Sequence, residues 1–327
     1  MKIQNKNNPS IIFAGSLSID HIIRFKRLNK PSLGGSVSYC SLALSNYTQD
    51  AKIGIISHIG KLNLKNSLLG KIKNKNIDLR GIKYSPVKNT NFVLDYFDHA
   101  RTLTLKSKSP NLMFSDIPSD YLIFPPTVFV LVPLCNEISI EYVAQILKKF
   151  PDTYIGIDLQ GFIRKIDEDG KVAYIYDNEI ISNMEKIINL IGDKLILKGS
   201  EEEMSLLAKT CDDFEKVMAH CNEYNNYGIY IMTLGEKGSM LTKKGEKILK
   251  IPAFKPRRVV DETGAGDVYL SIFLFEFIHS DKSWKSIKKA AYFASAAASF
   301  LVEKKGPSGF VTKKTVLKRL EKKRYIN

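Results

Sequence analysis

The chain has 327 residues, 44% of them hydrophobic and 25% charged, which suits one large soluble α/β domain or two small ones and needs no disulfide staples. Its net charge is +15, from 49 basic against 34 acidic residues; the lysines are scattered, so the charge reads as a solvated surface that also attracts anionic substrates, with a nucleic-acid partner as the competing reading. Four cysteines without a CxxC pair, five scattered histidines, a polar N-terminus and no run of 18 apolar residues argue against a disulfide framework, a zinc site, a signal peptide and a membrane span, and favour a reducing, cytoplasmic setting with buried thiols at Cys40, Cys135 and Cys211.

In chain order, Ile11 to Ile19 reads as a short β-branched strand ending at Asp20. Val37 to Leu44, after Gly34-Gly35, suits a helix, Ile53 to Ile59 a strand, and Leu64 to Ile72 a helix. Val128 to Val132 and Tyr154 to Asp158 read as buried strands around a helical Ile140 to Leu147. Leu195 to Leu197 followed by Glu201 to Ala208 repeats the unit, and a helix near Phe214 to Tyr224 precedes a strand at Ile229 to Leu234. Such alternation predicts an α/β fold, a doubly wound and mostly parallel sheet flanked by helices on both faces.

Two segments break the rhythm. Phe92 to Asp98 and Thr102 to Leu105 alternate with period two around His99-Ala100-Arg101, as a hairpin does, and Ile22 to Leu33 is a short polar-apolar stretch. Both are expected to form a small flap, so that residues 1–327 make a single domain with lid segments near 21–33 and 90–106. Ala265 to Ile278 is apolar nearly all round and predicts a buried helix, Ile287 to Leu301 is an alanine-rich helix, and Gly306 to Gly309 breaks the chain before a last helix whose basic residues read as a solvated face.

Val259-Val260-Asp261-Glu262-Thr263-Gly264-Ala265-Gly266-Asp267 carries the most information. A glycine turn at the start of a helix exposes backbone N–H groups that have no partner within the helix, and the helix dipole adds roughly half a positive charge there. That makes an anion site. Asp267 beside it would repel a phosphate unless it takes a proton from the group that attacks it. The alternative reading of Asp267, a first-turn aspartate worth about 0.3–1 kcal/mol to its helix, stays open from the residues alone. The P-loop pattern is absent, the third glycine of a dinucleotide fingerprint would fall at Tyr269, and no HRD or DFG motif occurs.

Asp261 to Asp267 resembles the C-terminal signature of ribokinase-like (PfkB) sugar kinases. The resemblance extends along the chain: Gly15 to Asp20 is similar to the family's first strand with its substrate-binding aspartate, Leu33-Gly34-Gly35 to the turn under the sugar, and Thr233 to Ser239 to the nucleotide-side T-x-G-x-x-G turn. It implies an ATP-dependent kinase for a hydroxyl of a small sugar or polyol, with Asp267 as the base and the N–H groups of Gly264, Ala265 and Gly266 stabilising the transferred phosphoryl group, each such donor being worth about 2.7–4 kcal/mol in other enzymes. It places Asp20, Gly34 and Gly35 at the substrate, Thr233, Gly235, Gly238, Asp261 and Thr263 at the ATP, and Mg²⁺ on the phosphates. For Asp20, a strand-end carboxylate capping a turn is the plain alternative.

Departures from the pattern point to the substrate. Tyr39 stands where many members have Asn, Ser36 where ribokinases often have Lys, and Ser200-Glu201-Glu202-Glu203 replaces N-x-x-E, with Glu203, or Glu201 in another alignment, at the position associated indirectly with the metal. The short segment before the Gly-Gly pair implies a reduced lid, so a monomer and a homodimer are both open. Gly34 to Tyr39, Pro133 to Ile138 and Asp158 to Arg164 resemble the archaeal and plant branch associated with myo-inositol kinases, which adds Tyr39, Gln160 and Arg164 to the expected substrate contacts. Arg164 could hold a phosphate, a polyol hydroxyl or a neighbouring carboxylate. A nucleoside or ribose kinase, with Tyr39, Phe92 or Tyr96 as a stacking platform, a sugar-phosphate kinase using Arg101 or Arg164, and a non-catalytic relative are the alternatives.

Overall fold

The computed structural model describes residues 9–24, 27–97, 100–210 and 213–326. Cys211, the His99 turn and the N-terminal residues 1–8 lie outside them, as does the side chain of Arg101. The first half holds β1 (Ile11–Ala14), β2 (Ser18–Arg24), β3 (Arg27–Leu28), β4 (Ser32–Gly34), β5 (Ile53–Gly60), β6 (Ile77–Ser85), β7 (Asn91–Phe97) and β8 (Ala100–Ser107). The second half holds β9 (Val128–Leu131), β10 (Tyr154–Asp158), β11 (Lys165–Ile166), β12 (Val172–Ala173), β13 (Leu195–Ser200), β14 (Ile229–Thr233), β15 (Ser239–Thr242) and β16 (Leu249–Ile251).

Nine of these form one sheet in the order β16-β15-β14-β13-β10-β9-β1-β5-β6. Seven run parallel, and β15 and β16 close one edge as antiparallel strands. Central strands covered on both faces must be apolar on both, and they are. Ile11 and Phe13 of β1 pack into one cluster with the helices Ser36–Tyr47, Ala265–Ile278 and Trp284–Leu301. Ile12 and Ala14 pack into the other with the helices Ile140–Lys149, Asn178–Ile191, Glu201–Leu207 and Phe214–Glu223. The expected doubly wound α/β architecture is therefore present.

The Ala265–Ile278 helix lies deep in the first cluster, with Val268, Leu270, Ile272, Phe273, Leu274, Phe275 and Phe277 all buried. Each such side chain contributes about 1.5–3 kcal/mol of burial. Leu274 fits against Gly156 of β10, where a side chain would strike it, and Phe277 meets Tyr154 edge-on at 5.0 Å. The first turn of this helix is thus held rigidly against the sheet.

A second sheet runs β3-β2-β7-β8, with β4 also on β2. The described residues of segments 21–33 and 90–106 fall within or beside it. The expected single strand Ile11 to Ile19 is two strands: after Gly15, where a Cβ would strike the backbone of Val132, the chain passes from the large sheet into the small one. The expected helix at Leu64 to Ile72 is confined to Asn66–Leu69 and a 3₁₀ turn at Gly70–Ile72. In the last helix, Lys313–Lys322, Arg319 is not solvated: it turns inward to Glu303 at 2.6 Å and the Ser299 hydroxyl at 2.8 Å.

Candidate active site

In parallel α/β sheets, ligands bind beyond the carboxyl ends of the strands where the strand order reverses. Here the order reverses between β1 and β9. A cavity of about 760 Å³ opens at that end, roofed by Phe92, Leu94, Tyr96 and Leu103 of the small sheet. A smaller cavity of about 260 Å³ adjoins it and shares Thr233, Val259, Glu262, Ala265 and Gly266.

Gly264 caps the Ala265–Ile278 helix in a left-handed conformation, φ 83°. A side chain there would also run into the ring of Tyr39, so only glycine keeps the helix start open and the tyrosine packed beneath it. Gly266 is bare for a different reason: a Cβ would lie 2.7 Å from the ammonium of Lys198. Asp261 folds the approach to the turn by accepting from the Thr263 N–H at 3.2 Å. The result is a helix N-terminus facing the cavity, with Asp267 in its first turn.

Asp267 is pushed up to about 7, first by burial and then by the Asp158 carboxylate, while Lys198, a hydrogen bond from Ser36 and Arg164 pull the other way. Asp158 and Lys198 form a buried pair at 2.7 Å across the ends of β10 and β13. Burial works against the Lys198 charge, but Asp158 and Glu203 outweigh it and hold the ammonium protonated above the usual lysine range. Glu203 is raised by burial and by Asp158, against Lys198.

On the other side of the cavity the side chains form a continuous chain of hydrogen bonds. Gln160 donates to the Ser36 hydroxyl at 3.0 Å and accepts from Arg164 Nη2 at 2.8 Å. Arg164 Nη1 donates to the Leu134 carbonyl at 3.0 Å and Nε to the Tyr174 hydroxyl at 2.9 Å. Tyr174 donates to Glu203 at 3.1 Å, and Glu203 accepts from the Ser200 N–H at 2.8 Å, closing a capping box on the Glu201–Leu207 helix. Burial at 4% exposure and three separate hydrogen bonds commit Arg164 to the wall.

The structure brings Asp20, Gly35, Tyr39, Gln160, Arg164, Glu203, Thr233, Asp261, Thr263, Gly264, Ala265, Gly266 and Asp267 to the walls of the larger cavity. Gly235 and Gly238 line the smaller one. Gly34 acts at one remove: a side chain on it would overlap the Asp20 carboxylate, which accepts from the Ser18 hydroxyl at 2.7 Å. Glu201 is exposed, so of the two aligned glutamates only Glu203 reaches this cavity. Sequence reading missed Asp158 and Lys198 as site residues, whereas Ser36, expected at the substrate as a departure from the family pattern, does line this cavity. The signal available for Lys198 was a charged residue in the apolar run Leu195-Ile196-Leu197-Lys198.

A model of the pfkB family of carbohydrate kinases matches residues 36–314. A nucleoside kinase of Methanocaldococcus jannaschii is 40% identical over 95 residues, covering 29% of this chain and 30% of that protein. A ribokinase of Arabidopsis thaliana is 34% identical over 132 residues, covering 38% and 33%. The matched stretch thus spans about a third of these relatives' length. Among solved structures, a pyrophosphate-dependent kinase in the ribokinase family, complexed with a pyrophosphate analog and myo-inositol, superposes with a TM-score of 0.73 at 20% identity over 91% of this chain and 96% of its own. A fructokinase from Vibrio cholerae O395 with fructose, ADP and calcium gives 0.76 at 18% identity over 95% and 99%. At these identities the structural likeness is one of fold, and the family match is what assigns kinship: the chain belongs to the pfkB family of carbohydrate kinases.

Proposed function

We propose that the chain transfers the γ-phosphoryl group of ATP to a hydroxyl of a small neutral sugar or polyol, with a myo-inositol-like acceptor favoured. One observation carries this reading: a carboxylate with its proton affinity raised to about 7 stands in the first turn of a helix whose N–H groups face the same cavity. A base matched to neutral pH and a donor set for phosphoryl oxygens are the two parts such a transfer needs. The acceptor oxygen forms a bond to the γ-phosphorus as the bond from that phosphorus to the β–γ bridging oxygen breaks. ADP leaves with the electron pair, and the hydroxyl proton passes to Asp267 and then to water.

The larger cavity is read as the acceptor site and the smaller as the adenosine site, with the five-stranded sheet as the lid of a single kinase domain. Among the described residues no group of three or more His, Cys, Asp or Glu side chains is placed to hold a metal ion. Mg²⁺ is read as part of the nucleotide substrate, carried on its phosphates. Glu203, whose oxygens accept from the Tyr174 hydroxyl and the Ser200 N–H, is read as acting on it indirectly.

Arg164 supports a neutral acceptor over a sugar phosphate held by this residue. A sugar-phosphate site needs a cation open to the ligand, and this guanidinium is spent on Leu134, Gln160 and Tyr174. Asp20 and Gln160 offer hydroxyl-binding groups instead. The fold neighbour solved with myo-inositol is compatible with this choice. A second reading, a nucleoside acceptor, is favoured by three aromatic rings on the cavity wall, Tyr39, Phe92 and Tyr96. Turnover with ATP or pyrophosphate as donor, across myo-inositol, ribose, fructose, nucleosides and hexose phosphates, tests the proposal. Robust activity on a hexose phosphate or a nucleoside with none on inositol would overturn the favoured acceptor.

A further inference from the structure

We infer that Lys198 is a further catalytic residue whose ammonium contacts the transferred phosphoryl group under the Gly264–Gly266 turn. The inference rests on the kinase reading above. Lys198 occupies the end of β13, a strand whose preceding residues Leu195, Ile196 and Leu197 are fully buried apolar side chains, and is itself 5% exposed. A buried lysine calls for a reason. Its pairing with Asp158 is a weak one, because buried ion pairs commonly add no stability over apolar residues of the same size.

Position supplies a better reason. The Lys198 ammonium lines the larger cavity and sits 2.7 Å from where a Gly266 Cβ would be, so the bare glycine leaves it against the helix N-terminus. The hydrogen bond to Asp158 at 2.7 Å uses one of its three N–H bonds. Charge points the same way. The wall of this cavity carries Asp20, Asp158, Glu203, Asp261, Glu262 and Asp267, against only Arg164 and Lys198 among its described cationic residues. Arg164 is held away by its three wall contacts. An incoming triphosphate therefore meets the Lys198 ammonium, whose two remaining N–H bonds can turn to a phosphoryl oxygen while the third stays on Asp158. The same charge keeps Asp267 from rising further in proton affinity, so one lysine serves both the base and the group being transferred.

Two variants test this. Lys198→Met removes the cation but leaves Asp158 buried and unpaired, so it risks misfolding. Lys198→Met combined with Asp158→Asn removes both charges of the pair, so that Asp158 is not left stranded. If the ammonium contacts the phosphoryl group, kcat falls on the order of 100-fold or more in the double variant, as loss of one transition-state donor costs elsewhere. Acceptor affinity by calorimetry and the melting temperature then stay close to wild type, and Lys198→Arg retains an intermediate rate. If the lysine serves only to neutralise Asp158, the double variant regains nearly the wild-type kcat, and the inference is overturned while the kinase reading stands. Wild-type protein that phosphorylates no acceptor overturns the kinase reading and this inference together.

Discussion

Gln160 donates to the Ser36 hydroxyl at 3.0 Å, and Ser36 lines the same cavity as Asp267 and lowers its proton affinity. One small side chain thus joins the wall that would hold the acceptor to the residue that would take its proton. Ser36 favours the ionised form of Asp267. Ser36→Ala should therefore raise the proton affinity of Asp267 and move the acidic limb of the kcat profile to higher pH. Activity near neutrality should fall a few-fold and recover at about pH 9, where the carboxylate is ionised in both proteins. A limb that does not move would detach Ser36 from the base.

Asp267 itself sets the position of that limb. With its proton affinity near 7, turnover by wild type should rise with pH through about that value and level off above it. Asp267→Asn should lower kcat by about 10²–10⁴-fold, the usual contribution of a general base, and abolish the limb. Activity that survives the substitution would mean the base lies elsewhere.

The same shift predicts a cost in stability. Asp267 has an ordinary value of 3.8 and a folded value of about 7. Between these limits the folded chain holds a proton that the unfolded chain has released, so this residue makes stability fall as pH rises through the window. Asp267→Asn carries no such proton. Its melting temperature should exceed that of wild type at about pH 8 by a few degrees, each kcal/mol being worth roughly 2–4 °C. The gap should close as pH is lowered towards the ordinary carboxylate range. A gap that is independent of pH would show that Asp267 is not shifted.

Gly264→Ala isolates the turn. Its φ of 83° costs an alanine about 1 kcal/mol or more, and the added methyl overlaps the Tyr39 ring. Loss of stability of roughly 1–3 kcal/mol, with kcat reduced more than acceptor affinity, is expected. Gly264→Ala with Tyr39→Ala relieves the overlap but not the strain, so denaturant melts of the pair should show partial recovery. Full recovery would make packing, not conformation, the reason for this glycine.

The reach of sequence reading follows from how local each feature is. Residues 261–267 were legible because turn, helix start and Asp267 lie within seven positions, and the helix Ala265–Ile278 because apolar residues fill every face of it. The strand Ile77–Ser85 went unseen, since as an edge strand it buries only part of its length and carries Asp78, Arg80 and Lys83. The helix Asn178–Ile191 was missed although Ile181, Met184, Ile188 and Ile191 repeat at helical spacing. Asp158 and Lys198 stand 40 positions apart and meet only because β10 pairs with β13. Nothing in either local sequence announces the other.

Arg164 tests the acceptor wall. Its planar guanidinium reaches the Leu134 carbonyl, Gln160 and the Tyr174 hydroxyl from three different nitrogens, a fork that lysine cannot reproduce. Arg164→Lys keeps the charge but drops at least one of these partners. Gln160 then loses the contact that orients its amide toward Ser36. If this wall holds the acceptor, its KM should rise about tenfold or more while the KM for ATP changes little, since one lost hydrogen bond to a charged group is worth about 1.5–3 kcal/mol. Equal changes in both constants would instead place Arg164 in the general framework of the cavity, and steady-state titration of each substrate against the variant separates the two.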